Sequence, residues 1–125
     1  PIVPGLNISA IPNTLQKAKN AGAIYAFMLL LRLPGNVESV FLHHLDRVLP
    51  NQKKKIVKAI RSMRNGAMTQ HQFGQRMSGM GPEWAIAKQL FRLWHKKLGF
   101  VSPPSLDKPT PFERPGSHMQ LNLFE

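Results

Sequence analysis

The stretch that most constrains what this chain can fold into is residues 24–35, IYAFMLLLRLPG. From residue 24 to residue 31 its one polar group is the hydroxyl of Tyr25, and the run ends abruptly at Arg32, Leu33, Pro34 and Gly35. A strand with one face in water alternates apolar with polar side chains. A near-continuous apolar run reads instead as a strand covered on both faces, as in parallel α/β sheets. No other stretch looks equally strand-like, and a lone strand cannot satisfy its own backbone groups. The sequence therefore predicts partner strands outside these 125 residues, in something larger; the start at Pro1, with no initiator methionine, fits a fragment or a processed chain.

Around that run the chain reads in order. Residues 1–7, PIVPGLN, form a loop with at most a short strand end at Ile2 and Val3. Ser9 is a candidate N-cap with Pro12 in the first turn, Ile11, Leu15 and Ala18 share a face, and Gly22 suits the C′ position. Loop, helix and strand together make the second half of a βαβ unit. A helix follows from Asn36 to Pro50, with Val37, Val40, Phe41, Leu45 and Val48 as its apolar stripe. Asn51 opens another, with Ile56, Val57, Ile60 and Met63 inward and Gly66 as its stop. Residues 66–81 are a glycine- and methionine-rich connection, long enough to suggest function or docking. Pro82 and Glu83 start a last helix with Ile86, Ala87, Leu90, Phe91, Trp94 and Leu98 on one side, Trp84 extending it and Gly99 closing it. The helical spacing of these aromatics favours core over a base-stacking platform.

The expected fold is thus α+β and mostly helical. It comprises a loop–helix–strand piece over 1–35, a basic three-helix extension over 36–100 and a proline-rich, poorly packed tail over 101–125. The tail ends in QLNLF at residues 120–124, where Leu121, Leu123 and Phe124 have no local core to join. An apolar tip after such a linker reads as a docking peptide.

Composition narrows the chemistry. With no cysteine, the chain itself supplies no disulfide, zinc–thiolate or iron–sulfur ligand. Of five histidines only His43 and His44 are adjacent, and helix neighbours point apart, which argues against a metal site. No signal peptide and no membrane-length apolar stretch are recognisable, so the expected location is cytoplasmic with no membrane partner. The net charge of +11 sits mostly in residues 36–100, which hold twelve basic and three acidic residues. Such a segment suits a polyanion partner, with Lys53, Lys54, Lys55, Lys58, Arg61 and Arg64 as the nucleic-acid ladder. The alternative is a solvated basic face that serves solubility.

Three stretches together resemble one family. Residues 1–7 resemble the P-x-I-P-G-L-N loop of radical SAM enzymes related to spore photoproduct lyase, often labelled DNA repair photolyases. Leu30, Leu31, Arg32, Leu33 and Pro34 resemble the strand that follows about twenty residues later. Residues 60–66, IRSMRNG, and 72–81, QFGQRMSGMG, resemble the family's R-x-M-R-G-G … R-F-G-x-R-M-x-G-x-G block. The last residues also resemble members ending in Q-L-x-L-F. This chain departs from the pattern at Asn65, where a second glycine is preferred, and at Gln72, where arginine is usual.

The resemblance implies the last helix and strand of a partial (β/α) barrel plus a helical C-terminal extension. In the family a C-x-x-x-C-x-x-C motif holds a four-iron–four-sulfur cluster, and S-adenosylmethionine bound to it is cleaved to a 5′-deoxyadenosyl radical. Here those cysteines are absent, so the chain alone is expected to be inactive, and the resemblance implies a lyase-like parent enzyme acting on nucleic acid. Active sites in parallel α/β folds lie at the carboxyl ends of strands. Pro4, Gly5 and Asn7 follow one such end and Arg32 closes the next, which places these four in the S-adenosylmethionine neighbourhood. The bland alternatives are a simple turn at Pro4 and Gly5 and a solvated strand-end charge at Arg32. A competing function is a non-enzymatic basic adaptor that binds nucleic acid and docks on the replication sliding clamp through Gln120, Leu121, Leu123 and Phe124, since QLNLF resembles the clamp-binding motif.

Overall fold

In the computed structural model, which describes residues 1–103 and 105, the apolar run is extended but is not a strand. It pairs at one point, a single parallel bridge between Ile2 and Leu30. The Ile2 N–H donates to the Leu29 carbonyl and the Leu31 N–H to the Ile2 carbonyl, both at 2.8 Å. On the opposite edge the Leu30 N–H donates to the Met77 carbonyl at 2.9 Å. The expectation of a strand over this run is corrected to one bridge, and the cause lies in the first loop. Pro4 has no N–H to give, and the Leu6 and Asn7 N–H groups both turn back onto the Val3 carbonyl at 3.1 and 3.2 Å. The partner edge ends before a ladder can form.

Among the described residues no strand forms, and four α-helices carry the fold: α1 (Ile11–Asn20), α2 (Val37–Val48), α3 (Lys53–Ser62) and α4 (Pro82–Lys97). A single 3₁₀ turn at Ile8–Ala10 leads into α1, so Ser9 lies inside that turn and Ala10 takes the N-cap position without a side-chain bond. Gly22, with φ of 90°, follows the α1 C-cap as its sequence position predicts. Pro82 occupies the first turn of α4, where its missing N–H leaves no bond unmade.

Two apolar clusters hold the helices together. One gathers Ile2, Ile11, Leu15, Leu30, Met63, Trp84, Ala87 and Phe100, and joins α1 to α4. The other gathers Leu33, Leu45, Ile56, Ile60 and Met68, and joins α2 to α3. Leu30 and Leu33, both fully buried, place the apolar run in both clusters. That is why so short a stretch organises the chain: one extended segment closes two cores.

The helix stripes are partly as expected. On α3, Ile56 and Ile60 are buried with Met63 just beyond the helix end. On α2 the packed line is Phe41, Leu42, Leu45 and Leu49, while Val37, Val40 and Val48 stand in solvent. On α4, Trp84 is central to the core and Ile86 is 60% exposed. Residues 66–81 form no helix, yet they dock: the Met77 carbonyl meets Leu30, and the Met80 N–H donates to the Met63 carbonyl at 3.0 Å. Gly79 makes that docking possible, because a Cβ there would sit 3.1 Å from both Leu30 Cδ2 and Trp84 Cγ.

Candidate functional site

The most unusual side chain is Arg64. It follows Ile56 and Ile60 at four-residue spacing, lies in the turn two residues past the end of α3, and is 4% exposed. Its Nη2 donates to the carbonyl oxygen of Leu31, while Nε and Nη1 are buried with no acceptor. The ion pair found among the described residues is Lys53 with Asp46 (2.5 Å), on the α2–α3 surface, so among those residues Arg64 meets no carboxylate. Burial, and behind it the charge of Arg32, holds the Arg64 guanidinium below the ordinary arginine range.

Arg64 forms part of the wall of a cavity of about 290 Å³, together with Met63, Gln70, Gly74, Gln75, Ser78, Gly79 and Met80. Two tight turns shape the rim. In the first the Gln75 and Arg76 N–H groups donate to the Gln72 carbonyl, at 3.2 and 3.1 Å, with Gly74 inside the turn at φ of 83°; in the second the Ser78 N–H donates to the Gln75 carbonyl at 3.0 Å. The wall carries donors and no carboxylate.

The six residues of the basic ladder divide. Lys54, Lys58 and Arg61 are exposed and line one open groove of about 600 Å³ with Val57, Ser62, Asn65 and Gly66. Lys53 is engaged by Asp46. Lys55 turns toward a different depression beside Gly5 and Glu83. Arg64 is inside. The structure therefore brings three cations together on one face and separates the other three.

The first loop is tightly committed to structure. Pro4 is fully buried. Gly5, at φ of 74°, lies against α3, where a Cβ would meet Ala59 Cβ at 3.4 Å and Ile56 Cα at 3.5 Å. Asn7 uses both ends of its amide on this loop: Oδ1 accepts from the Val3 N–H (2.8 Å) and Nδ2 donates to the Pro1 carbonyl (3.1 Å). Arg32 is exposed and acts electrostatically on Arg64. The cavities beside Asn7 and beside Gly5 do not include Arg32. Gln120, Leu121, Leu123 and Phe124 lie outside the described residues, as does most of the 101–125 tail.

Among the described residues no group of His, Cys, Asp or Glu side chains is placed to hold a metal ion, and no helix is long and apolar enough to cross a membrane. The Arg64 cavity is what sequence reasoning missed. Its signal was legible in the row Ile56, Ile60, Arg64: a charge continuing an apolar row either ends the helix in water or enters the core. Comparisons with protein-family models, curated proteins and solved structures find no match to the chain.

Proposed function

We propose that this chain is the C-terminal part of a radical SAM iron–sulfur enzyme of the spore photoproduct lyase-like kind, inactive alone. The observation that carries the reading is the parallel bridge between Ile2 and Leu30 across α1, a βαβ crossover reduced to its smallest form. Beyond the bridge the run offers its apolar side chains to solvent: Ile24 is 59% and Phe27 84% exposed. Further strands and helices of a barrel would cover that surface. Asn65 adds support. It adopts φ of 53°, the left-handed region where glycine is favoured and asparagine tolerated, at the position where the family prefers glycine.

The residues present do not by themselves fit the family's cofactors. No cysteine exists to ligate the cluster. Asn7 is already hydrogen-bonded at both amide atoms, Pro4 is buried, and Gly5 is packed on α3. No step through cluster or S-adenosylmethionine is derived from them. The reading frame upstream of the Pro1 codon is the test: an in-frame C-x-x-x-C-x-x-C supports the assignment, and its absence removes it.

A second reading rests on the groove of Lys54, Lys58 and Arg61, a basic adaptor for nucleic acid. The sliding-clamp partner rests on QLNLF alone. Fluorescence anisotropy of that peptide against purified clamp tests it, and equal binding by a Leu123→Ala, Phe124→Ala peptide removes it.

A further inference from the structure

A guanidinium carries five N–H donors and no acceptor. Arg64 is almost wholly buried, and among the described residues the one acceptor it meets is the Leu31 carbonyl. Burying a charge without a counter-charge is costly, and the cost falls when an anion is brought to it. The cavity beside Arg64 is suited to supply one. Its other polar side chains are Gln70, Gln75 and Ser78, and none is acidic. The Gln70 Oε1 is occupied by the Gln72 N–H at 3.2 Å, so its amide has its donor end left to offer. Arg32 adds a second positive charge close enough to depress the Arg64 guanidinium. At about 290 Å³ the space is at the small end of ligand pockets, room for a compact molecule and too small for a polymer.

We propose that this cavity binds an oxyanion, the phosphoryl or carboxylate group of a small molecule, with Arg64 supplying the charge and Gln75 and Ser78 supplying hydrogen bonds. Charge-assisted bonds to a buried arginine are the strong class. The site is separate from the Lys54, Lys58 and Arg61 groove, so a nucleic-acid backbone held there leaves Arg64 untouched. The proposal does not depend on the radical SAM reading.

Calorimetry of the 125-residue chain with inorganic phosphate and with malonate, each at constant ionic strength set by sodium chloride, tests it. Saturable binding of at least one of the two is expected, and which one binds identifies a phosphoryl or a carboxylate source. Arg64→Met should weaken that binding by about tenfold or more. Gln75→Glu, at an exposed rim position, sets a like charge against the anion and should weaken it by about the same factor, which keeps the test valid should Arg64→Met not fold. The proposal is overturned by absence of saturable binding of either anion at about 10 mM, or by undiminished binding in Gln75→Glu. Binding of an oligonucleotide while both small anions fail also overturns it.

Discussion

The guanidinium of Arg64 donates to the carbonyl oxygen of Leu31, tying the end of α3 to the apolar run midway between Leu30 and Leu33. The tie leaves two nitrogens of the same guanidinium, Nε and Nη1, without an acceptor.

Those opposing contributions set the first prediction. Arg64→Met removes the partner of the Leu31 carbonyl, a loss of about 1–3 kcal/mol, and also removes the desolvated, unpartnered donors, a gain of similar size. In phosphate-free buffer, urea unfolding should find the variant within about 1 kcal/mol of the parent chain, whereas Arg64→Ala, which leaves a void, should lose about 2–4 kcal/mol. A loss above about 3 kcal/mol for Arg64→Met would contradict the orphaned-donor account.

Gly79 gives a sharper steric case. Its Cβ would lie 3.1 Å from Leu30 Cδ2 and Trp84 Cγ, two buried side chains with little room to retreat. Gly79→Ala should cost about 1–3 kcal/mol through overpacking. At Gly74 nothing lies within 4 Å, and there only the φ of 83° resists a side chain, so Gly74→Ala should cost about 1 kcal/mol. A smaller loss at Gly79 than at Gly74 would mean that the 66–81 connection does not dock on Leu30.

On the α3 groove, Lys54, Lys58 and Arg61 are placed to neutralise about three phosphates, for a log–log salt slope of about −2 to −3. A Lys54→Glu, Lys58→Glu variant should lose most of any nucleic-acid affinity in a filter or anisotropy assay. Lys53→Glu should lose less, since Lys53 is paired with Asp46. Unchanged binding in the double variant leaves the groove a solvated face.

Much of this architecture is legible in the residues, and the exceptions have physical causes. Ile56, Ile60 and Met63 keep helical spacing and are buried as that spacing predicts. Gly22, Gly66 and Gly99 sit past helix ends with positive φ, as their sequence positions suggest. That the apolar run forms one bridge and no strand was not legible in its own residues, because a ladder is a property of two edges, and the partner edge ends at Pro4 and Gly5 after a single pair. Of the expected α2 stripe, Phe41 and Leu45 are covered, whereas Val37, Val40 and Val48 are exposed and Leu42 is covered in their place, because helix periodicity does not say which edge of an apolar stripe a neighbour covers. Of the ladder, charge alone does not separate Arg64 from the solvated cations; its four-residue spacing from Ile56 and Ile60 does, and residues of the 66–81 connection make up the rest of the wall beside it.

The exposed apolar run gives a direct contrast within one segment. In this chain Leu30→Ala should cost about 2–5 kcal/mol, because Leu30 is fully buried, while Phe27→Ser at 84% exposure should cost under about 0.5 kcal/mol. The proposed enzyme reading places further strands over this surface, so in a longer product of that kind Phe27→Ser should cost about 3 kcal/mol or more. An unchanged, near-zero cost there would show that nothing covers Phe27.

The central claim, that these residues close the C-terminal side of a radical SAM enzyme, is tested most directly by the iron and acid-labile sulfide content of the full reading-frame product. It is to be purified under argon and reconstituted with iron and sulfide. The account predicts one stoichiometric, reducible iron–sulfur cluster per chain. A product that stays free of iron after reconstitution contradicts it.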